Sequence, residues 1–387
     1  MDYMSHEVVR LLADMVKIES TNVGKYEGEM ADFVADWLER ETGLPVIKDE
    51  CEPGRPIVVC KLEGEIHDPA FVGIHHMDVV PPLEGWDTDP FEPVIKGNKM
   101  YGRGTGDMKA GLACAMLAFR DAVKLNKKPK RDIVLIASSD EEGNEMLGAM
   151  QAVKGGYVTK NSYVLDHEPN NMTLNIDRKG KTWFQVTMVG IPAHGSKPWE
   201  GVDPIIGMSE VVLGIKKRID ALPTDEIFGP SSVGFGTIGG GLNTNTLAEK
   251  VVMTMDMRLA PPLTPEGSLK LVDDAIKEAC EKMPGLSGSF DVIAKRPSIQ
   301  GDKKSIFMKS LQECIKEVTG TEAEVIMIPP YTDTGVIAGE TGNLNCVSYG
   351  PFAYNIHQAN ESVDLDSVLK LYEVSKKITY KMGYEVS

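Results

Sequence analysis

Short apolar runs rich in β-branched residues, at 57–62, 71–76, 132–138 and 163–166, alternate with amphipathic stretches such as 28–41 and 106–123. Strands separated by helices cannot pair as tight hairpins; they reach a parallel neighbour by crossing over one face. The alternation therefore predicts an α/β fold, a mostly parallel mixed sheet with helices on both faces. Ligands in such sheets gather outside the C-terminal ends of the strands. Those ends are where imidazoles and carboxylates fall here. His76-Met77-Asp78 closes one run, Asp140-Glu141-Glu142-Gly143 another and His167-Glu168-Pro169 a third.

From about residue 178 to 297 the rhythm changes. Strand-like alternation at 182–189 is followed by Asp203-Pro204, a cap and first-turn proline for a helix whose Ile205, Met208, Val212 and Ile215 share a face. Strands are expected at 232–238 and 250–258, a second helix after Thr264-Pro265-Glu266, and a last strand at 288–294. The order βαββαβ is that of a ferredoxin-like α+β sandwich. The expected organisation is thus a catalytic domain in two parts, 1–177 and 296–387, interrupted by a lid and dimerisation domain at 178–295. The second part opens with a helix at 304–318, continues with a strand at 344–349, and closes with a helix at 363–381. At the N-terminus, Met4, Val8, Leu11 and Met15 are spaced as one helix face.

Composition removes several classes of function. With 57 acidic against 41 basic residues the net charge is −16, which argues against nucleic acid or an anionic membrane as partner. No apolar run approaches a membrane span, and the start lacks the apolar core of a secretory signal. Six scattered cysteines without a C-x-x-C pair read as reduced thiols of a cytoplasmic protein.

The motifs have modest readings one at a time. His76 and Asp78, two apart on a strand end, leave the same face, so one could bind metal while the other fixes its tautomer. A solvated histidine beside a capping aspartate has the same spacing. Gly102-Arg103-Gly104-Thr105-Gly106-Asp107 fails both phosphate-loop patterns, since no Gly-Lys-Ser/Thr follows and Asp107 and Lys109 stand where glycines are needed. It can instead present Asp107 at the start of the next helix. Asp140, Glu141 and Glu142 repel one another unless protons or a cation intervene. Glu168 closes its strand with Asp166 competing on the same face, and His357 follows a Gly350-Pro351 turn. Together they supply two imidazoles and at least four carboxylates at one set of strand ends, the donors that divalent metals such as zinc favour.

Over essentially its whole length the chain resembles the dinuclear zinc amidohydrolase family of acetylornithine deacetylase, succinyl-diaminopimelate desuccinylase, aminoacylase and glutamate carboxypeptidase. The resemblance is carried by His76-Met77-Asp78-Val79-Val80-Pro81, Tyr101-Gly102-Arg103-Gly104, Asp107-Met108-Lys109, Asp140-Glu141-Glu142-Gly143 and Glu168-Pro169. His75, Ala110 and His167 depart from the common pattern without removing a donor. The resemblance implies two divalent ions, zinc first and cobalt or manganese as alternatives. It assigns His76 and Glu168 to one ion, Glu142 and His357 to the other, and Asp107 as the bridge between them. It makes Glu141 the general base, Asp78 an orienting group, and His194 the histidine that completes the neighbouring subunit's site. Asn245 and Arg258 would contact substrate, and the Asp107–Met108 peptide would be cis.

The expected reaction is hydrolysis of the amide bond of an N-acyl amino acid by metal-activated water. An exopeptidase acting on dipeptides or a terminal residue is the alternative in the same chemistry. A metal-dependent binding protein without catalysis is the alternative outside it, and Glu141, a proton shuttle no binder needs, argues against it. The expected partners are a small substrate and a second copy of the chain, joined through the lid.

Overall fold

The computed structural model describes residues 2–143, 145–328 and 331–385. The chain divides into two compact units. One comprises Met1–Ile176, Gln300–Ile326 and Thr332–Ser387, and the other Asp177–Ile299 with Met327–Tyr331.

The first unit is built on an eight-stranded mixed sheet, in the spatial order Val46–Glu52, Arg55–Leu62, Arg131–Ser138, Ile66–His76, Tyr163–Asp166, Cys346–Ser348, Leu174–Arg178 and Val325–Ile328. Its centre is parallel. Ile66–His76 runs parallel to both Arg131–Ser138 and Tyr163–Asp166, and Tyr163–Asp166 runs parallel to Cys346–Ser348. Four strands therefore end along one edge, at Ser138, His76, Asp166 and Ser348. Arg131–Ser138 is buried throughout, as a strand covered on both faces must be.

Helices Glu7–Val16, Gly28–Thr42, Ala110–Lys124, Ile306–Thr319 and Leu365–Tyr380 enclose one large apolar core. Leu147–Lys154 and Asp333–Thr341 pack together against the other face. The serine cap of Ile306–Thr319 and the aspartate cap of Leu365–Tyr380 accept first-turn N–H groups, each worth about 1 kcal/mol. A small antiparallel sheet sets Ser362 opposite Tyr101, which brings the loop after Tyr101 beside the loop before Ser362.

Two local expectations change. The helix foreseen from residue 106 begins at Ala110, because Asp107 and Met108 have non-helical backbone angles; the apolar spacing had continued through Met108. The peptide between Asp107 and Met108 is cis. Met4 lies in a separate 3-10 turn and is exposed, whereas Val8, Leu11 and Met15 are buried on one helix face.

The second unit contains a four-stranded antiparallel sheet in the order Ser232–Gly240, Lys250–Leu259, Gly180–Val189 and Ser287–Arg296. Helices Pro204–Asp220 and Pro265–Lys282 lie on one face, completing a ferredoxin-like layer pair. Lys250–Leu259 alternates buried and half-buried residues, the pattern of a sheet covered on one side. Met208 and Ile215 are buried as foreseen, but Ile205 is 47% exposed and the buried row runs Met208, Val211, Ile215, Ile219. The entry and exit of this unit meet: Arg178 and Ile299 exchange two backbone hydrogen bonds of 2.8 and 2.9 Å.

Candidate active site

The strand ends of the first unit converge on a buried cluster of donors. His76, Asp107 and Glu142 present ligand atoms mutually within 4.8 Å, and so do His76, Glu141 and Glu168. His76 Nε2 lies 3.1 Å from Asp107 Oδ1 and 3.7 Å from Glu168 Oε1. On the other side His357 Nε2 lies 3.4 Å from Asp107 Oδ2 and 3.0 Å from Glu142. The two oxygens of Asp107 thus face different imidazoles.

Each donor is aimed by its backbone. His76 is the last residue of its strand, and its Nδ1 lies 2.9 Å from the main-chain oxygen of Asp78. A carbonyl only accepts, so Nδ1 donates and Nε2 points into the cluster, where it donates to Asp107 in the metal-free protein and would be the atom offered to a cation. The Asp78 carboxylate was expected to receive that proton, but it sits 3.6 Å away and does something else. It accepts the backbone N–H groups of Glu141 and Glu142 at 3.2 and 3.1 Å, fixing the turn that bears them.

Asp140 faces away from its two neighbours. Asn22 donates to both Asp78 and Asp140, at 2.9 and 3.0 Å, and Arg55 donates to Glu27 and Asp140, at 2.7 and 2.9 Å. Only Glu141 and Glu142 of the acidic run therefore enter the cluster. Asp166, the competitor of Glu168, turns its Oδ2 to the hydroxyls of Thr332 and Thr334, at 3.1 and 2.7 Å.

Asp107 is held by groups that sequence reasoning left without a role. Glu361 accepts the N–H groups of Gly106 and Asp107, at 2.9 and 3.2 Å, and pairs with Arg103. Arg103 also donates to the main chain of Gln358, at 3.2 Å, so one buried ion pair joins the Asp107 and His357 loops. Gly104, at φ +81°, makes the reversal before Asp107; a Cβ there would lie 2.6 Å from Val79. Asp333, also unforeseen, is a buried acid that accepts the Ser138 hydroxyl. The legible signals were a cation inside a glycine-rich loop and an acid four residues after His357. Nothing local pointed to Asn22, Glu27 or Arg55.

The electrostatics are those of a site with excess negative charge. Burial, reinforced by Glu142 and Asp333, raises Glu141 far above the usual carboxylate range. Burial and the charges of Glu141 and Asp107 do the same to Glu168. Burial and Asp107 push Glu142 up to about 7. Burial opposes ionisation of Asp107, but hydrogen bonds from His357 and His76 outweigh it and hold its carboxyl low. Hydrogen bonds to Asp107 and Glu142 push His357 up to about 10. Four carboxylates against two imidazoles is a donor set that fits divalent cations and is poorly neutralised without them.

His194, Asn245 and Arg258 belong to the second unit. His194 and Asn245 are exposed on neighbouring loop segments, where Gly195 donates its N–H to the Asn245 carbonyl at 2.7 Å. The Ser196 N–H donates to His194 Nδ1 at 3.1 Å, which leaves the ring proton on Nε2. Arg258 pairs with Asp256 at 2.9 Å.

Residues 74–381 match the model of peptidase family M20/M25/M40. The chain belongs to that family. Among relatives of this M20-family chain, a succinyl-diaminopimelate desuccinylase of Sulfurovum sp. (strain NBC37-1) is 29% identical over 311 residues, covering 78% of this chain and 81% of that protein. A tripeptidase from Staphylococcus aureus subsp. aureus mu50 shares the fold with a TM-score of 0.81 at 22% identity, covering 97% of each chain. An M20 family metallo-carboxypeptidase from Sulfolobus solfataricus has a TM-score of 0.80 at 16% identity, covering 97% of this chain and 98% of that one. Both solved structures share the fold described here, a mixed sheet flanked by helices with an inserted α+β unit.

Proposed function

We propose that the chain is a metal-dependent hydrolase cleaving the amide bond of N-acyl amino acids. The observation that carries this reading is the cluster itself, where His76, Glu141, Glu142 and Glu168 at the ends of the large sheet meet Asp107 and His357 from loops of the small one. His76 and Glu168 would hold one divalent ion, Glu142 and His357 a second, and Asp107 would bridge; the outward divergence of its two oxygens supports that role. Zinc suits these donors, with cobalt or manganese as alternatives. When bound, the ions supply acidification of a water and polarisation of the scissile carbonyl.

The chain's own residues do the rest. Glu141, held at the turn anchored by Asp78, takes the proton of the attacking water and returns it to the leaving amine. Burial of Glu141 raises its basicity toward that task. His194, protonated on Nε2, donates to the oxyanion of the tetrahedral intermediate. Asn245 and Arg258 contact the substrate, Arg258 taking its carboxylate in place of Asp256.

In the same reading, 1–177 and 296–387 are the catalytic domain and 178–295 the lid through which two copies form a homodimer, His194 serving the partner's site. Six free cysteines support a reducing, cytoplasmic setting. Among the described residues no helix is long and apolar enough to cross a membrane. The desuccinylase relative favours deacylation, and the peptidase-like fold neighbours keep exopeptidase activity as the second reading. A screen of acetyl-, succinyl- and formyl-amino acids against di- and tripeptides, with and without chelator, tests both. Turnover of acylated amino acids that a chelator abolishes is expected. Chelator-resistant turnover, or none on any of these substrates, overturns the reading.

A further inference from the structure

Strands Ile66–His76 and Tyr163–Asp166 pair with Phe71 opposite Tyr163, Val72 opposite Val164 and Gly73 opposite Leu165. Carried two residues further, this register sets His75 beside His167 and His76 beside Glu168. Alternation along a strand sends the two couples to opposite faces. His76 and Glu168 enter the donor cluster. His75 and His167 turn toward the helices, where their rings stack with centroids 4.9 Å apart and planes inclined by 24°.

The stack is anchored on one side. His167 Nδ1 lies 2.7 Å from the Tyr349 carbonyl, so it donates, and His167 Nε2 accepts the Ser375 hydroxyl at 2.6 Å. His75 Nδ1 has no hydrogen-bond partner among the described residues, so ring stacking and packing hold this side chain. Gly73 makes room for it: a Cβ there would stand 3.1 Å from His75 Nε2. The backbone ladder between the strands ends at Gly73 and Leu165, two residues short of the stack and three short of the donors.

We propose that the His75–His167 stack is a positioning device that carries strand alignment past the end of the ladder and so sets the spacing of His76 and Glu168. The inference rests on the reading of those two residues as metal donors. Neither stacked ring touches substrate or metal. Their effect passes through the peptide units they share with the donors beside them.

The test uses full-length, metal-free protein titrated with zinc against a chromophoric chelator, with thermal midpoints of the metal-free forms measured alongside. His75→Leu keeps most of the volume and His75→Ala removes it, while His75→Phe keeps a flat ring. Leu and Ala are expected to weaken zinc binding by about ten-fold or more, and Phe to stay within about three-fold of the parent, the range seen when supports of metal ligands are removed or kept. Equal affinity in all three, or Phe as weak as Leu, overturns the proposal. So does a lowered thermal midpoint with unchanged zinc affinity, which would make the stack core packing alone. Should His75→Ala fail to fold, the Leu and Phe pair still decides. His76→Ala is the control: if it binds zinc like the parent, the metal reading fails independently of the stack.

Discussion

The two units handle polar groups in opposite ways. In the first, charged side chains are buried and fixed by several partners each; Glu361 is fully buried and accepts from Arg103 and two backbone N–H groups. In the second, buried charges among the described residues are confined to Asp177, Arg178 and Lys181 at its entry, the helix-covered core is apolar but for a few hydroxyls, and the candidate residues His194 and Asn245 stand exposed on loops. Preorganised donors need no rearrangement when a ligand arrives, whereas exposed loop residues gain their geometry only on binding. Under the proposed function the first unit would hold metal and move protons, and the second would recognise substrate.

The comparison breaks most sharply at the donors. Asp107→Ala is expected to lose both metal and turnover. Glu141→Gln should retain the metal, measured by elemental analysis, yet lose about 10²–10⁴-fold in kcat, the usual worth of a general base. Equal metal loss in both variants would place Glu141 among the ligands.

Next in size, His194→Ala should lower kcat by about 10²–10³-fold, as the loss of an oxyanion donor does, without lowering metal content. Mixing it with Glu141→Gln separates a shared site from a self-contained one. If the histidine serves the partner subunit, exchange should restore about a quarter of parental activity, the statistical value for a symmetric dimer. No recovery despite demonstrated subunit exchange removes the trans role.

Metal affinity should also follow pH. In the metal-free protein Glu142 is pushed up to about 7 and His357 up to about 10, so both hold protons at pH 6 that a cation must displace. Raised values mean protonation below them, so zinc affinity falls as pH drops through 7. It should rise by at least about ten-fold from pH 6 to pH 8, with proton release detectable by calorimetry in buffers of different ionisation heat. A flat profile would contradict the burial that raises Glu142 and the hydrogen bonds that raise His357.

The smallest contrast lies within the second unit's first helix. Met208→Ala should cost about 2–5 kcal/mol as a buried deletion, and Ile205→Ala less than about 0.5 kcal/mol, read by denaturant unfolding. Comparable costs would mean that Ile205 is covered in solution, as a subunit interface would cover it.

Sequence periodicity located the four central runs, each of which lies in a strand, and the βαββαβ order of the inserted unit, because burial imposes those patterns locally. It misplaced Ile205 and Met4, since helical spacing names a face but not where that face stops being covered. Motif reading gathered the donors, yet it missed what holds them. Arg103 and Glu361 are 258 residues apart in sequence, and Arg55 lies 85 from Asp140. Ion pairs closed by tertiary folding leave no periodic trace. The exchange of the Asp78 carboxylate for its carbonyl was equally hidden, because one residue supplies both acceptors.

The paired hydrogen bonds between Arg178 and Ile299 bear on ancestry as much as on shape. A segment whose two ends meet side by side behaves as a cassette, because splicing it into a host leaves little chain to close and no host strand to lengthen. Its apolar core forms a cluster of its own, apart from the host's. Under the proposed function, residues that recognise substrate could therefore diversify within one module without altering the donors of the other.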